Sequence, residues 1–327
     1  MVETNERYKT SDKSMVKNMI SKFGSLLGLL ILVIVLTFLS NKFLTLVNIM
    51  NILNQSAINI LVSFGMLMAI LTAGIDLSVG SVLALSTVMM GFAAVRWGLN
   101  PVLSIIICLL TGSLLGLLNG LMLTKLHLPH PFISTLGMQN IARGLALTIT
   151  AASPISGFPQ LIQLFGNFWG PIPVSFILVI IVFVLLYIFL NKTASGKYIY
   201  AVGGNIEATR LSGIKVDNIL VLVYVISGLM SALAGVVLVG RVNAAFPLAG
   251  VGYETDAIAA CIIGGASFFG GAGTLGGTII GAFIMAVLRN GLNLLGVSAD
   301  MQTTAIGLVI IGAVYVDVLR KRAETKR

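Results

Sequence analysis

The sequence predicts an all-α protein that crosses a membrane about ten times. Of its 327 residues, 57% are apolar and only 9% are charged, whereas soluble globular chains carry about 25% charged residues. The apolar residues fall into runs close to the ~20 residues that a helix needs to cross the hydrocarbon of a bilayer. These features together favour one polytopic membrane domain over two soluble domains.

Charged residues, glycines and prolines separate the apolar runs and set the predicted boundaries. The predicted spans are 25–40, 49–71, 77–95, 101–123, 131–150, 173–190, 218–240, 255–270, 274–295 and 301–319. The segment 151–172 is rich in Pro and Gly, which a straight span does not tolerate. We therefore expect an external loop there, with a short interfacial helix anchored by Trp169.

The net charge of +9 is concentrated at the two ends of the chain and in the loop 191–217. Because basic residues flank membrane spans on the cytoplasmic side, both ends are predicted to be cytoplasmic, as an even number of spans requires. Six spans precede the loop 191–217, so it is placed on the same side. The pattern indicates membrane topology rather than a nucleic-acid-binding face. It divides the chain into a basic tail 1–24, a membrane domain 25–319 and a basic tail 320–327.

The two halves of the membrane domain, 49–150 and 218–319, resemble each other weakly when the sequence is shifted by about 170 residues, which predicts an inverted repeat. Glycines at i, i+4 spacing predict two close helix contacts, which serve either for packing or as a seam that slides. They are Gly112, Gly116 and Gly120 in the first half and Gly273, Gly277 and Gly281 in the second.

Asp76 lies between two predicted spans with glycines on both sides. A carboxylate at this position is costly unless it caps a helix, faces water or finds a partner, so it either caps the next helix or lines a polar path through the membrane. Glu254 and Asp256 begin the eighth span, on the opposite side in this topology, and are candidates for its inverted counterpart. Side-chain amides in or beside spans suit either a path or helix joining. The path candidates are Asn54, Gln55, Asn119, Asn290 and Asn293.

The loop 191–217 has its own helix signals. Gly203 and Gly204 are expected to break a helix that arrives from the sixth span, Asn205 to cap a short helix through Ser212, and Gly213 to end it. Glu207 lies in its first turn, near the positive end of the helix dipole. A helix this short is unstable alone, so it either docks into a partner groove or serves as a solvated connector.

Four sequence runs carry a resemblance to a known family. They are AGIDLSVGS at 73–81, AVGGNIEATRLSGI at 201–214, GYETDAIAA at 252–260 and NGLNLLGV at 290–297. They resemble the permeases of ribose-type ATP-binding cassette importers, in the same order and spacing, from about Phe43 to Val318.

The resemblance implies a type II importer-like permease of the bacterial inner membrane. Two permease copies would form a homodimer around a central path for a monosaccharide. A cytoplasmic ATPase with two fused nucleotide-binding domains would hold ATP and Mg²⁺, so this chain would bind no cofactor, and a periplasmic or lipid-anchored binding protein would deliver the sugar. The segment that matches the family's coupling helix consists of Gly203, Gly204, Asn205, Glu207, Ala208, Arg210, Leu211, Ser212 and Gly213.

The sequence gives weaker support to two other functions, an ion-coupled transporter and a membrane enzyme. An ion-coupled secondary transporter is the alternative, although only Asp76 is a fair candidate for carrying a proton. A membrane enzyme is disfavoured because His127 and His130 have no nucleophile beside them, and the chain lacks a phosphate-binding GxxxxGK[ST] loop. The two cysteines are read as core residues. Basic residues of the external loops are candidates for docking the binding protein, namely Lys42, Arg96 and Arg241.

Overall fold

A computed structural model describes the backbone of residues 24–325 and the side chains of residues 24–315 and 318. The predicted tail 1–24 therefore lies outside the described residues except for Gly24, as do the side chains of the tail 320–327. The helices are α1 (Gly24–Leu39), α2 (Leu46–Leu71), α3 (Val79–Gly91, continued by a π-helical turn, Phe92–Arg96), α4 (Pro101–Lys125), α5 (Pro131–Thr150), α6 (Gln160–Gln163), α7 (Val174–Lys192), α8 (Ala194–Gly204), α9 (Ile206–Leu211), α10 (Val216–Val242), α11 (Tyr253–Ile263), α12 (Leu275–Leu294) and α13 (Ala299–Thr325). The prediction of an all-α polytopic membrane protein is confirmed.

Among residues 24–325, six helices are long and apolar enough to cross a membrane: α2, α3 with its π-helical turn, α4, α7, α10 and α12. Shorter apolar helical stretches lie in α1 and in α13, at Ala299–Tyr315. α5 has 20 residues but is less apolar, because Gln139, Asn140 and Arg143 lie in its middle. The predicted count of about ten spans is thus approximate, although every predicted span coincides with at least part of a helix.

The predicted span 255–270 is wrong in extent. The helix α11 ends at Ile263, because Gly264 and Gly265 follow it and Gly265 adopts a left-handed conformation with φ of 91°. Its 11 residues rise about 16 Å, roughly half of the ~30 Å hydrocarbon thickness. The chain then runs without helix to Thr274. The eighth segment is a half-helix inside the bundle rather than a span.

α2 and α10 cross at the centre of the bundle. Both are buried on most sides, as expected for helices that are apolar all round. They run antiparallel, because Gly65 near the end of α2 packs against Ser227, whereas Asn54 near its start bonds to Gly166, which packs against Gly240 at the end of α10.

The two halves pack as a related pair around these two helices. α4 of the first half packs on α10, and α12 of the second half packs on α2. The shorter helices also pack on the central helix of the other half, since α3 contacts α10 and α11 contacts α2. An inverted repeat predicts such an arrangement around two antiparallel helices, and the duplication itself stays a prediction.

The bundle has two recognisable ends. The end defined by α6, here the α6 end, carries the segment 151–172 and two small antiparallel sheets. In these, β1 (Ile155–Ser156) pairs with β4 (Ala244–Ala245), and β2 (Phe168–Trp169) pairs with β3 (Ile172–Pro173). The short helix expected in this loop is α6, and Trp169 is 77% exposed. The opposite end, here the α9 end, carries α8, α9 and the loop 264–274.

The predicted glycine faces make close helix contacts, with one exception. A Cβ atom at Gly116 would lie 2.1 Å from the carbonyl oxygen of Tyr224 on α10, and one at Gly281 would lie 1.9 Å from that of Ala260 on α11. Gly273, by contrast, lies in the loop before α12 and belongs to no helix face. The packing alternative therefore accounts for these glycines in this conformation.

Candidate functional site

Asp76 lies inside the bundle and is 1% exposed. Its Oδ1 accepts hydrogen bonds from the backbone N–H of Ser78 (2.9 Å) and from the Ser78 hydroxyl (2.5 Å), just before α3 begins. Its Oδ2 accepts a hydrogen bond from the Ser227 hydroxyl at 2.7 Å. Ser227 is about 17 Å along α10 from its first residue, near the middle of that helix. The carboxylate thus ties the start of the buried helix α3 to the middle of α10.

Two unpaired polar atoms lie beside this carboxylate. Asn119 donates through Nδ2 to the Ser78 hydroxyl at 2.9 Å, but its Oδ1 has no partner among the described residues. The hydroxyl of Tyr224, one helical turn before Ser227, is also buried without a partner there. Such groups are costly in an apolar interior, so this cluster is an exception to the usual pairing of buried polar atoms.

The segments that hold Asp76 and Glu254 meet inside the bundle. The backbones of Gly80 and Gly250 touch, and a Cβ atom at Gly80 would lie 3.0 Å from Oε2 of Glu254. The expectation that these acids lie on opposite sides of the membrane is therefore wrong. The first turns of α3 and α11, which carry positive dipole ends, point into one region lined by carboxylates.

Arg143 faces the same junction from α5 and was missed in the sequence. Its Nη1 donates to the carbonyl oxygens of Pro247 and Ala249, both at 2.7 Å, and so clamps the non-helical chain that leads into α11. Glu254 lies nearby, with Oε1 accepting a long hydrogen bond of 3.4 Å from Gln139 and Oε2 unpaired among the described residues. A charged residue within a predicted span is by itself the signal that identifies such a position.

Asp256, in the first turn of α11, makes a bidentate ion pair with Arg289 of α12. The two N–O distances are 2.9 and 2.8 Å. The pair satisfies a buried carboxylate and fixes α11 against α12.

The predicted path amides lie mainly between helices. Asn54 donates to the carbonyl oxygen of Gly166 (3.0 Å) and accepts from Ser175 of α7 (2.9 Å). Asn290 exchanges two hydrogen bonds with Asn48, which joins α12 to α2. Of the other three, Asn119 bonds to Ser78 as described above, Asn293 accepts from Gln302 of α13, and Gln55 is half-buried. In this conformation these contacts are those of helix joining, and a role in a path stays a prediction.

The expectation that Gly203 and Gly204 break a helix from the sixth span is wrong. α7 ends one residue before Thr193, whose hydroxyl caps α8 by accepting from the N–H of Gly196 at 3.1 Å. Both glycines are instead the last residues of α8. Gly203 is packed tightly against other backbone, whereas Gly204 faces open space.

The short helix α9 has the expected caps. Asn205 accepts a hydrogen bond from the N–H of Ala208 at 2.9 Å, and Gly213 ends the segment with φ of 82°. Glu207 and Arg210 form an ion pair of 2.9 Å with side chains that are 68% and 55% exposed.

Only Thr209 of α9 is buried. Leu211 is 88% exposed, and Ile206 is 40% exposed. An apolar side chain this exposed at the end of a short helix marks a surface that is suited to a protein partner.

The three basic docking candidates, Lys42, Arg96 and Arg241, are exposed. They precede α2, end the π-helical turn and lie in the last turn of α10 respectively, so all belong to the α6 end. They lie apart from α9, which is consistent with separate partners at the two ends.

In the part of the chain that the structure describes, no group of three or more His, Cys, Asp or Glu residues is placed to hold a metal ion. Cys108 and Cys261 are free and buried, in agreement with their reading as core residues. His130 accepts a hydrogen bond from the N–H of Phe132 at 3.1 Å and so caps α5.

Comparisons with known proteins identify the family. Residues 48–314 match the model described as the permease component of a branched-chain amino acid transport system. The ribose import permease protein RbsC of Bacillus subtilis (strain 168) is 46% identical over 316 residues, which cover 95% of this chain and 98% of that protein. The RbsC protein of Escherichia coli (strain K12) is 43% identical over 298 residues, with 90% and 92% covered. The D-allose transport system permease protein AlsC of the same strain is 42% identical over 301 residues, with 91% and 92% covered.

No solved structure matches the chain. The helices from α2 to most of α13 fall within the matched residues, and the relatives extend the match almost to both ends. The chain therefore belongs to the permease family of transport-system components that includes these import permeases, and it is a multi-pass membrane protein.

Proposed function

We propose that this chain is the permease subunit of an ATP-binding cassette importer that carries a monosaccharide across the bacterial inner membrane. The description of the family model names branched-chain amino acid transport, but the relatives named above are permeases for ribose and D-allose. Identity above 40% over nine-tenths of the chain favours the sugar class. Ribose itself is the first candidate within it.

The observation that carries the proposal is the exposure of α9. The helix is correctly capped yet has only one buried residue, and helices this short are not stable without packing. Its exposed face combines Leu211 and Ile206 with the Glu207–Arg210 pair. Exposed apolar side chains next to charged ones suit a protein interface, and we assign this surface to the ATPase.

The proposed assembly follows from the two ends of the bundle. The α9 end faces the cytoplasm, where its Lys and Arg residues belong, and an ATPase with two fused nucleotide-binding domains holds ATP and Mg²⁺ beneath it. The α6 end faces outward and receives the sugar-binding protein, with Lys42, Arg96 and Arg241 as docking residues. A second copy of the chain completes the path, and both termini are cytoplasmic.

The polar side of α5 is our candidate for the path wall. Asn140, Gly137, Gly144 and Thr148 are exposed there, although a lipid-facing surface at this depth would be apolar. Gln139 and the Arg143–Glu254 region lie beside it. Amide, guanidinium and carboxylate groups together can bind sugar hydroxyls, which donate and accept hydrogen bonds at once.

The test removes the charges of α9 and measures copurification of the ATPase and ATP-driven sugar uptake. We expect Glu207→Ala with Arg210→Ala to insert normally but to lose ATPase copurification and ATP-driven sugar uptake. An exposed ion pair at i, i+3 stabilises a helix by only about 0.2–0.5 kcal/mol, so unfolding of α9 would not explain a complete loss.

The matched control removes one acid and one base at the α6 end, in Lys42→Ala with Asp300→Ala. This variant should retain the ATPase at the wild-type level. Wild-type uptake by the α9 variant would contradict the assignment of α9 to the ATPase.

A further inference from the structure

The end of α8 offers the motion of α9 a well-packed route into the membrane bundle. α9 itself is exposed except at Thr209. At the end of α8, a Cβ atom at Gly203 would lie 1.8 Å from the carbonyl oxygen of Leu71 and 2.6 Å from the backbone nitrogen of Gly271. α8 therefore touches, at one residue, both the end of α2 and the loop 264–274.

These two segments are also bonded to each other and to α8. The N–H of Gly271 donates to the carbonyl oxygen of Leu71 at 3.0 Å, which satisfies an otherwise unpaired carbonyl at the end of α2. The hydroxyl of Tyr200, one turn before Gly203, donates to the carbonyl oxygen of Gly273 at 3.0 Å. The contacts around Gly203 thus join three chain segments: the end of α8, the end of α2 and the loop 264–274.

The backbone around this point has little freedom to adjust. Ala73 adopts a left-handed conformation with φ of 59°, and Gly270 and Gly271 have φ of 84° and 71°. A Cβ atom at Gly270 would lie 2.8 Å from both the backbone nitrogen and the Cβ atom of Ala73. Left-handed backbone next to close contacts persists only where the surrounding structure holds it in place.

Each of the two segments adjoins one of the helices at the junction. The chain after Leu71 runs through Asp76 into α3, and the loop 264–274 follows α11. Gly80, in the first turn of α3, in turn touches Gly250, which lies three residues before α11 begins. A displacement at Gly203 consequently reaches both sides of the junction at once.

We infer that Gly203 is a positioning residue that transmits the movement of α8 and α9 to the helices α3 and α11. This inference rests on the proposed function and adds the route inside the permease by which ATPase movement opens and closes the path. The close backbone contact is required because a side chain would separate α8 from the two segments by about 1 Å or more.

Gly203→Ala and Gly276→Ala form a matched pair of tests. Both residues lie in helices at the α9 end and neither has a positive φ, but a Cβ atom at Gly276 in the first turn of α12 meets nothing within 4 Å. The readouts are sugar uptake per ATP hydrolysed and the ATP-dependent change in maleimide labelling of Ala272→Cys, an exposed position of the loop. Cys108 and Cys261 are buried and should not interfere. The complex is reconstituted with its ATPase and binding protein.

We expect Gly203→Ala to bind the ATPase and hydrolyse ATP while uptake per ATP falls at least about fivefold, the lower range of coupling between sites. Its ATP-dependent labelling change should also disappear. Gly276→Ala should match the wild type in both readouts. Equal behaviour of the two variants, or loss of ATPase binding by Gly203→Ala, would overturn the inference.

If Gly203→Ala fails to insert into the membrane, Tyr200→Phe tests the inference instead. This variant removes the hydrogen bond to the carbonyl oxygen of Gly273 without adding bulk. A reduced labelling change supports the relay, and an unchanged one contradicts it. The labelling readout also separates this inference from the proposed function. If the wild-type complex shows the ATP-dependent change but takes up no sugar, the proposed substrate fails, and the comparison of the glycine variants still decides the relay.

Discussion

Replacing Asp76 should destabilise the bundle in proportion to the hydrogen bonds that each variant loses. The carboxylate accepts three of them, from the N–H and hydroxyl of Ser78 and from the hydroxyl of Ser227. Hydrogen bonds to a charged group contribute about 1.5–3 kcal/mol each. We therefore expect Asp76→Ala to lower the free energy of unfolding by about 4–6 kcal/mol, allowing for partial relaxation.

Two milder variants calibrate this loss. Asp76→Asn keeps one acceptor oxygen for Ser78 but turns the other atom into a donor, so it should cost about 2–3 kcal/mol. Ser227→Ala removes one bond and should cost about 1.5–2 kcal/mol.

The assay is thermal unfolding in detergent, followed with a thiol-reactive fluorogenic dye. Both cysteines of the chain, Cys108 and Cys261, are buried in the fold and react only when it opens. The melting temperatures should fall in the order Ser227→Ala, Asp76→Asn, Asp76→Ala. The reasoning is refuted if Asp76→Ala has the same melting temperature as the wild type, or if Ser227→Ala is the least stable of the three variants.

Two further variants test the helix contacts and the capping of α9. Gly116→Ala should destabilise the bundle by about 1–3 kcal/mol through overpacking against α10. A Cβ atom at Gly144 on α5 meets nothing within 4 Å, so Gly144→Ala should have a melting temperature close to that of the wild type. Equal melting temperatures of the two variants would contradict the packing argument. Asn205→Ala removes the cap of α9, worth about 1 kcal/mol, and should weaken ATPase copurification while leaving the melting temperature of the bundle unchanged; unaltered ATPase binding would speak against a need for a preformed α9.

The sequence predicts most of the helices because long apolar runs have few alternatives in a bilayer. It also predicts the caps of α9, since Asn205 and Gly213 act within a few residues along the chain. The predicted span 255–270 is too long because the apolar composition continues beyond Ile263, whereas the helix ends before the glycine pair Gly264 and Gly265. Periodicity cannot distinguish a half-helix from a span when both are apolar.

The junction inside the bundle was beyond sequence reasoning because it depends on tertiary contacts. The sequence identifies Asp76 as a costly residue, but its partner Ser227 is 151 residues away and carries no local signal. Residue type alone predicts that Gly203 breaks a helix, whereas its role in the fold depends on the approach of Leu71 and Gly271. Arg143, in contrast, was visible as a charge within an apolar run.

The most direct test of the account is transport by the reconstituted complex of this permease with its ATPase and binding protein. Proteoliposomes should accumulate labelled ribose or a related monosaccharide only when ATP and the binding protein are both present, and labelled leucine should not accumulate. Accumulation of leucine in place of a sugar would contradict the assigned substrate class. Sugar uptake driven by an ion gradient without ATP would contradict the assignment as an importer permease.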